Sequence, residues 1–219
     1  MREAAVMTSI LRIDQRRPDP EIIEEAVRVL DAEGVVMYPT ESSYALGVNA
    51  LKSSAILKVF EIKGRSTDKA IPVIVADLRM WKRYAYFSGD AETLVKRFMP
   101  GPLTLVLRKR TSVPDVLSPS TIAARIPGHP VALALVKKAG YPITSTSANI
   151  SGQPPAYSVG SIPKSLALAT DLILDAGALR RRKYSTIADL AEGEPIVTRE
   201  GAIAASMILR ALGKERSRK

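Results

Sequence analysis

Two periodicities alternate along this chain. From Asp19 and Pro20 the apolar positions Ile22, Ile23, Ala26, Val27 and Leu30 recur at helical spacing behind a capping residue and an early proline, with Gly34 placed to end the helix. Val35, Val36, Met37 and Tyr38 then form a short apolar run, read as a buried strand that delivers Pro39-Thr40-Glu41-Ser42-Ser43-Tyr44 into a loop. Helical spacing returns over 53–63 through Ile56, Leu57, Val59 and Phe60, and Gly64 terminates it. Further strands are expected at 71–76, 103–107, 121–126, 143–147, 172–174, 185–190 and 196–199, with helices at 91–98, 131–139 and 202–212. The alternation predicts an α/β fold with a mixed sheet. Pro100-Gly101-Pro102 and Ser151-Gly152-Gln153-Pro154-Pro155 are its strongest turn signals, and no internal repeat is present.

Composition narrows the picture. With 219 residues, 46% hydrophobic, and no linker-like stretch, the chain buries one sizeable core as a single domain. Its 32 Lys and Arg against 22 Asp and Glu give a formal charge of +10, a field that attracts nucleotides, nucleic acid or anionic membranes without choosing among them. The absence of cysteine excludes disulfides and thiolate metal sites and leaves the redox compartment open. The single histidine, His129, stands in Pro127-Gly128-His129-Pro130 at an expected helix start, which favours a structural or surface role over catalysis, and no metal-ligating set is expected. Residues 1–14 hold neither a spanning run nor a signal-peptide core, so a cytoplasmic enzyme or binding protein that does not engage a membrane is expected.

Polar clusters at 40–43, 63–69 and 145–149, and Arg199, fall at or just beyond the ends of expected elements, where open α/β sheets collect ligands. Neither a G-x-x-x-x-G-K-[ST] segment nor a strand-linked G-x-G-x-x-G is present, so phosphate binding would have to use side chains. Lys63 and Arg65 flank Gly64 at a helix exit and Lys69 follows before a strand. Three cations in one loop suit a polyanion such as a nucleoside triphosphate, although the first two also complement the negative end of a helix dipole. Ser145-Thr146-Ser147-Ala148-Asn149 offers hydroxyls and an amide that fix anionic oxygens or simply close a turn. Thr121 and Arg125, near the ends of one strand, admit the same two readings. Arg180-Arg181-Arg182-Lys183 reads as a solvated loop or as a contact for tRNA or double-stranded RNA.

Taken together, Pro39-Thr40-Glu41-Ser42, Lys63-Gly64-Arg65, Ala124-Arg125-Ile126-Pro127, Ser145-Thr146-Ser147-Ala148-Asn149 with Ser151-Gly152, Ser185-Thr186-Ile187 and Val197-Thr198-Arg199-Glu200-Gly201 occur in the order and approximate spacing of the YrdC-like family. The resemblance covers about residues 20–212, leaving an N-terminal segment at 1–19 and a basic tail at 213–219. It implies an open twisted α/β sheet around a basic cavity. It also implies the reaction of the family's best-known members, the threonylcarbamoyl-adenylate synthases of tRNA modification: ATP, L-threonine and bicarbonate or CO2 give threonylcarbamoyl-adenylate and pyrophosphate. A separate threonylcarbamoyl transferase complex would take the adenylate onward.

Position by position, the resemblance implies threonine contacts at Ser42, Arg125, Ser145 and Ser185. It implies an ATP side at Lys63, Arg65, Lys69, Thr121, Ser147, Asn149 and Arg199, with Pro155 beside the nucleotide. Lys63 and Arg65, with Mg2+ carried by ATP, are the implied catalytic groups. Three departures stand out. Ser66 replaces a common proline, and Ser43-Tyr44-Ala45-Leu46-Gly47 resembles the YciO-type branch. The chain ends at Lys219 without the second domain of long-form synthases, so gating by that domain is expected to be absent or supplied otherwise. Rival readings are YciO- or HypF-type adenylation of another carbamate, or an RNA-binding module without turnover.

Overall fold

The computed structural model describes residues 8–214. Strand β1 (Ser9–Arg12) leads to helix α1 (Pro20–Asp31), and Asp19 caps that helix by accepting from the Glu21 N–H. The helix ends before Gly34: Glu33, at φ 60°, takes the left-handed position. Strands β2 (Val36–Pro39) and β3 (Tyr44–Gly47) form an antiparallel hairpin around the 40–43 loop, so the expected loop there is shorter than the sequence suggests. Helix α2 (Ser53–Lys63) ends on Gly64, whose φ of 56° is the left-handed cap that favours glycine.

The middle of the chain supplies β4 (Val73–Ile74), α3 (Leu78–Lys82), α4 (Gly89–Phe98), β5 (Leu103–Arg108), β6 (Thr121–Arg125) and α5 (Pro130–Ala139). Its last part supplies β7 (Ile143–Thr144), β8 (Thr146–Ser147), α6 (Lys164–Leu168), β9 (Leu172–Asp175), β10 (Thr186–Asp189), β11 (Ile196–Arg199) and α7 (Ala205–Ala211).

The mixed α/β character follows the sequence pattern, but the strands divide between two sheets. One has the order β1-β9-β2-β3-β8 and the other β11-β10-β5-β6-β4-β7. The stretch expected as one strand over 143–147 is where they divide: β7 pairs with β4 in the six-stranded sheet, β8 with β3 in the other, and Ser145 lies between them. The Ser145 N–H donates to the Pro72 carbonyl at 2.7 Å, which pins the crossover. β1, within the segment read as preceding the domain, pairs in parallel with β9 and so belongs to the first sheet.

Period-2 alternation decides what each face of the larger sheet does. On β5, Leu103, Leu105 and Leu107 are buried in the hydrophobic core, while Thr104 and Val106 point the other way into a cavity. On β6, Ala123 and Arg125 share that cavity face, and Ile122 and Ala124 are core. His129 is the N-cap of α5, its imidazole accepting from the Val131 N–H, in keeping with a structural role. Of the expected basic tail, 215–219 lie outside the described residues, and Lys214 is paired with Asp90 and Glu194. Among the described residues no helix is long and apolar enough to cross a membrane.

Candidate active site

A cavity of about 460 Å³ opens where the two sheets part, a size typical of small-molecule sites. The β2–β3 hairpin contributes Thr40, Ser42 and Ser43, and the sheet crossover contributes Ser145, Thr146 and Ser147. Facing them from the larger sheet are Thr104, Arg125, Ser185 and Arg199, with Arg65 reaching in from the loop after α2. Among the described residues that line it, three are arginines and none is acidic.

Arg125 is the anchor. It is buried, its Nε stands 3.2 Å from Glu41 Oε1, and its Nη2 donates to the Ser145 hydroxyl at 3.2 Å. Glu41 neutralises Arg125 from outside the main cavity, facing a smaller hollow that it shares with His129, Arg180 and Arg182. Arg199 donates to the Ser185 carbonyl at 2.9 Å and to the Ser185 hydroxyl at 3.2 Å, and that hydroxyl lies 2.9 Å from Thr104 Oγ1. Burial, and then the neighbouring Arg125, lower the pKa of Arg199. Cations that repel one another across a shared cavity are relieved by a bound anion.

Lys63 has a different place from the one its sequence context suggests. Its side chain is 2% exposed, and its ammonium donates to the Ser147 carbonyl at 2.5 Å, the Asn149 carbonyl at 2.7 Å and Asn149 Oδ1 at 2.9 Å. All three ammonium donors are therefore committed to the turn behind Ser147, and Lys63 does not line the cavity. Burial, with Arg65 nearby, pushes its pKa down to about 8, while the three acceptors favour the charged form. Asn149 is likewise engaged: Oδ1 also accepts from the Ser147 hydroxyl at 2.6 Å, and Nδ2 donates to the Gln153 carbonyl. In this structure both residues shape the Ser147 turn rather than offer free contacts.

Of the remaining candidates, Ser42, Arg65, Ser145, Ser147, Ser185 and Arg199 meet at the cavity with Arg125. Arg65 rests on the carbonyls of its own loop, donating to Lys69 at 3.2 Å and Ala70 at 2.9 Å. Lys69 is exposed and outside the lining. Thr121 is in register with Ala123 and Arg125 but lies at the far end of β6, its hydroxyl 3.2 Å from that of Ser118. Pro155 lines a neighbouring hollow with Tyr157 and Arg181. The sequence reading overlooked Glu41 as a partner, and Thr104 and Tyr184 as lining residues. A hydroxyl inside the apolar run of β5 was the available signal for Thr104; Tyr184 had none beyond its position next to Ser185.

Sequence comparison matches residues 28–201 to the Sua5/YciO/YrdC family model, described as "Telomere recombination". The chain belongs to the Sua5/YciO/YrdC family. It is 36% identical over 213 residues to a threonylcarbamoyl-AMP synthase of Pyrococcus abyssi, covering 96% of this chain and 62% of that relative's length. A crystal structure of P. abyssi Sua5 complexed with L-threonine superposes with a TM-score of 0.85 at 34% identity, covering 96% of this chain and 62% of the other. E. coli YciO superposes with a TM-score of 0.81 at 30% identity, covering 93% of this chain and 99% of that one. The matched family region takes in the 40–43 hairpin, the loop after α2, the sheet crossover and Arg199.

Proposed function

We propose that this chain is an L-threonylcarbamoyladenylate synthase: ATP, L-threonine and bicarbonate or CO2 give threonylcarbamoyl-AMP and pyrophosphate, for threonylcarbamoyladenosine formation in tRNA. One observation carries the reading. A buried guanidinium with hydroxyl neighbours faces two further guanidiniums across a single cavity, in a chain similar to a threonylcarbamoyl-AMP synthase over most of its length.

The chemistry divides between the two sides. Threonine's carboxylate suits the free edge of Arg125, and its hydroxyl suits Ser42, Ser145 and Ser185. The threonine amine adds to CO2 with loss of a proton, giving a carbamate. A carbamate oxygen then attacks the α-phosphorus, the bond from that phosphorus to the β-phosphate's bridging oxygen breaks, and pyrophosphate leaves with the bonding pair. No protein nucleophile is needed. The chain's task is to bring two anions together and stabilise the charge that builds on the departing phosphates, a role that suits Arg65 and Arg199 as cations lining the cavity. Lys63 contributes by holding the 147–149 turn from behind.

Among the described residues no three His, Cys, Asp or Glu side chains group to hold a metal ion. Mg2+ would accordingly enter with the triphosphate, as part of the substrate. A threonylcarbamoyl transferase complex would receive the adenylate, and the exposed run 180–183 is the surface for any contact with tRNA. The similarity to YciO over its whole length keeps a YciO-type substrate as the second reading. Mass spectrometry of the nucleotide products after incubation with ATP, Mg2+, threonine and bicarbonate separates the two: threonylcarbamoyl-AMP supports the first, and its absence beside active pyrophosphate release supports the second.

A further inference from the structure

Among the described residues lining the cavity, Tyr184 alone carries an aromatic ring. Tyr38 and Tyr44 are fully buried, whereas Tyr184 is 43% exposed at the cavity mouth. Its backbone is fixed. The Ala202 N–H donates to the Tyr184 carbonyl at 2.9 Å, and the chain approaches so closely there that a Cβ on Gly201 would run into that carbonyl oxygen.

The ring has two neighbours of distinct chemistry. The Arg199 guanidinium carbon lies over it, 5.6 Å from the ring centroid, while the same guanidinium faces the cavity and bonds to Ser185. Its hydroxyl neighbours Tyr157, itself covered by Arg181 at 4.9 Å and lining the hollow that holds Pro154 and Pro155. Tyr184 therefore adjoins a cation suited to phosphate and, through Tyr157, a hollow lined by prolines.

We propose that the Tyr184 ring is the stacking platform for the purine base of the nucleoside triphosphate, with Arg199 bracing the ring and meeting the phosphates of the same ligand. This rests on the nucleotide reading given above and adds the residue that would hold the base. Every other lining side chain is aliphatic, hydroxylic or cationic, so the cavity offers a flat purine no other aromatic face. Stacking recognises the π-face and not the hydrogen-bonding edge, so ATP and GTP would lose affinity alike when the ring is removed.

The test compares the wild-type chain with Tyr184→Phe, Tyr184→Leu and Tyr184→Ala. Each is titrated with 2-aminopurine riboside triphosphate, whose fluorescence is quenched on stacking, and by calorimetry with ATP, inorganic tripolyphosphate and L-threonine in Mg2+ buffer. The expected result is quenching in wild type and Tyr184→Phe that is lost in the Leu and Ala variants. ATP affinity falls roughly 5- to 150-fold in those two, the range for one aromatic–base stack, while tripolyphosphate and threonine affinities stay unchanged. The Leu variant keeps bulk at the position, so a loss shared by Leu and Ala belongs to the aromatic face. ATP binding within about twofold of wild type in Tyr184→Ala, or equal losses for ATP and tripolyphosphate, overturns the stacking role and leaves the nucleotide reading standing. A wild-type chain that binds neither ATP nor tripolyphosphate overturns both.

Discussion

Nε of Arg125 stands 3.2 Å from Oε1 of Glu41, with both side chains largely withdrawn from solvent. Glu41 sits in the loop of the β2–β3 hairpin and Arg125 at the end of β6, and the sheet crossover adds Ser145 to the same guanidinium. Glu41 thus neutralises the guanidinium from outside the cavity that Arg125 and Ser145 line.

Arg125→Lys keeps the charge and loses the fork. The expected outcome is a threonine KM raised on the order of tenfold or more, with the ATP KM changed far less, since a charge-assisted hydrogen bond is worth about 1.5–3 kcal/mol. Steady-state kinetics with each substrate varied in turn measures the split. An ATP effect larger than the threonine effect contradicts the division of the cavity.

Lys63→Met preserves length and removes the ammonium. The carbonyls of Ser147 and Asn149 and the Asn149 amide oxygen then lose their shared donor, and stability is expected to fall by about 1–3 kcal/mol. Urea unfolding checks it. A variant as stable as wild type contradicts the role of Lys63 as the strut of this turn.

Arg65→Ala should behave in the opposite way. Among the described residues Arg65 hydrogen-bonds to carbonyls of its own exposed loop, so the fold should lose at most about 1 kcal/mol, as for a cation at a helix end. The rate of adenylate formation should fall about 10²–10³-fold if Arg65 meets the departing phosphates. Thermal melting and product formation on one preparation measure both, and an active but less stable variant contradicts the phosphate role.

How far such roles were readable in advance depended on distance along the chain. The existence of β5 and β6 was legible, because each is a short, largely apolar run between turn signals. So was the helix start at His129, where Gly128 and Pro130 frame it. The split at Ser145 was not, because it depends on β4 and β3 pairing with neighbouring pieces of one expected strand. Lys63 read as a cation at a helix exit; what buries it is a turn 84 residues away. Glu41 is hidden in the same manner, its partner lying on β6. The edge strand β1 gave little signal, since Ile10 is 56% exposed and the segment gains its structure from β9.

His129 gives the chain a pH dependence that one residue reports. Burial holds its imidazole below the ordinary value of 6.5, with Glu41 opposing and Arg182 reinforcing the shift. The folded state therefore favours the neutral ring, whose Nδ1 accepts from the Val131 N–H. Its contribution to stability is present above about pH 6.5 and is lost as pH falls toward the folded-state pKa, where the unfolded chain binds the proton first. His129→Asn keeps a capping acceptor and should flatten that part of the stability–pH curve. An unchanged slope in urea titrations contradicts the assignment.

The most direct test of the account is pyrophosphate release by the purified chain with ATP and Mg2+, with L-threonine and bicarbonate omitted in turn. The account predicts release when all are present and a fall to background when either threonine or the carbon source is left out. Release that persists without threonine, or none with every substrate supplied, would contradict it.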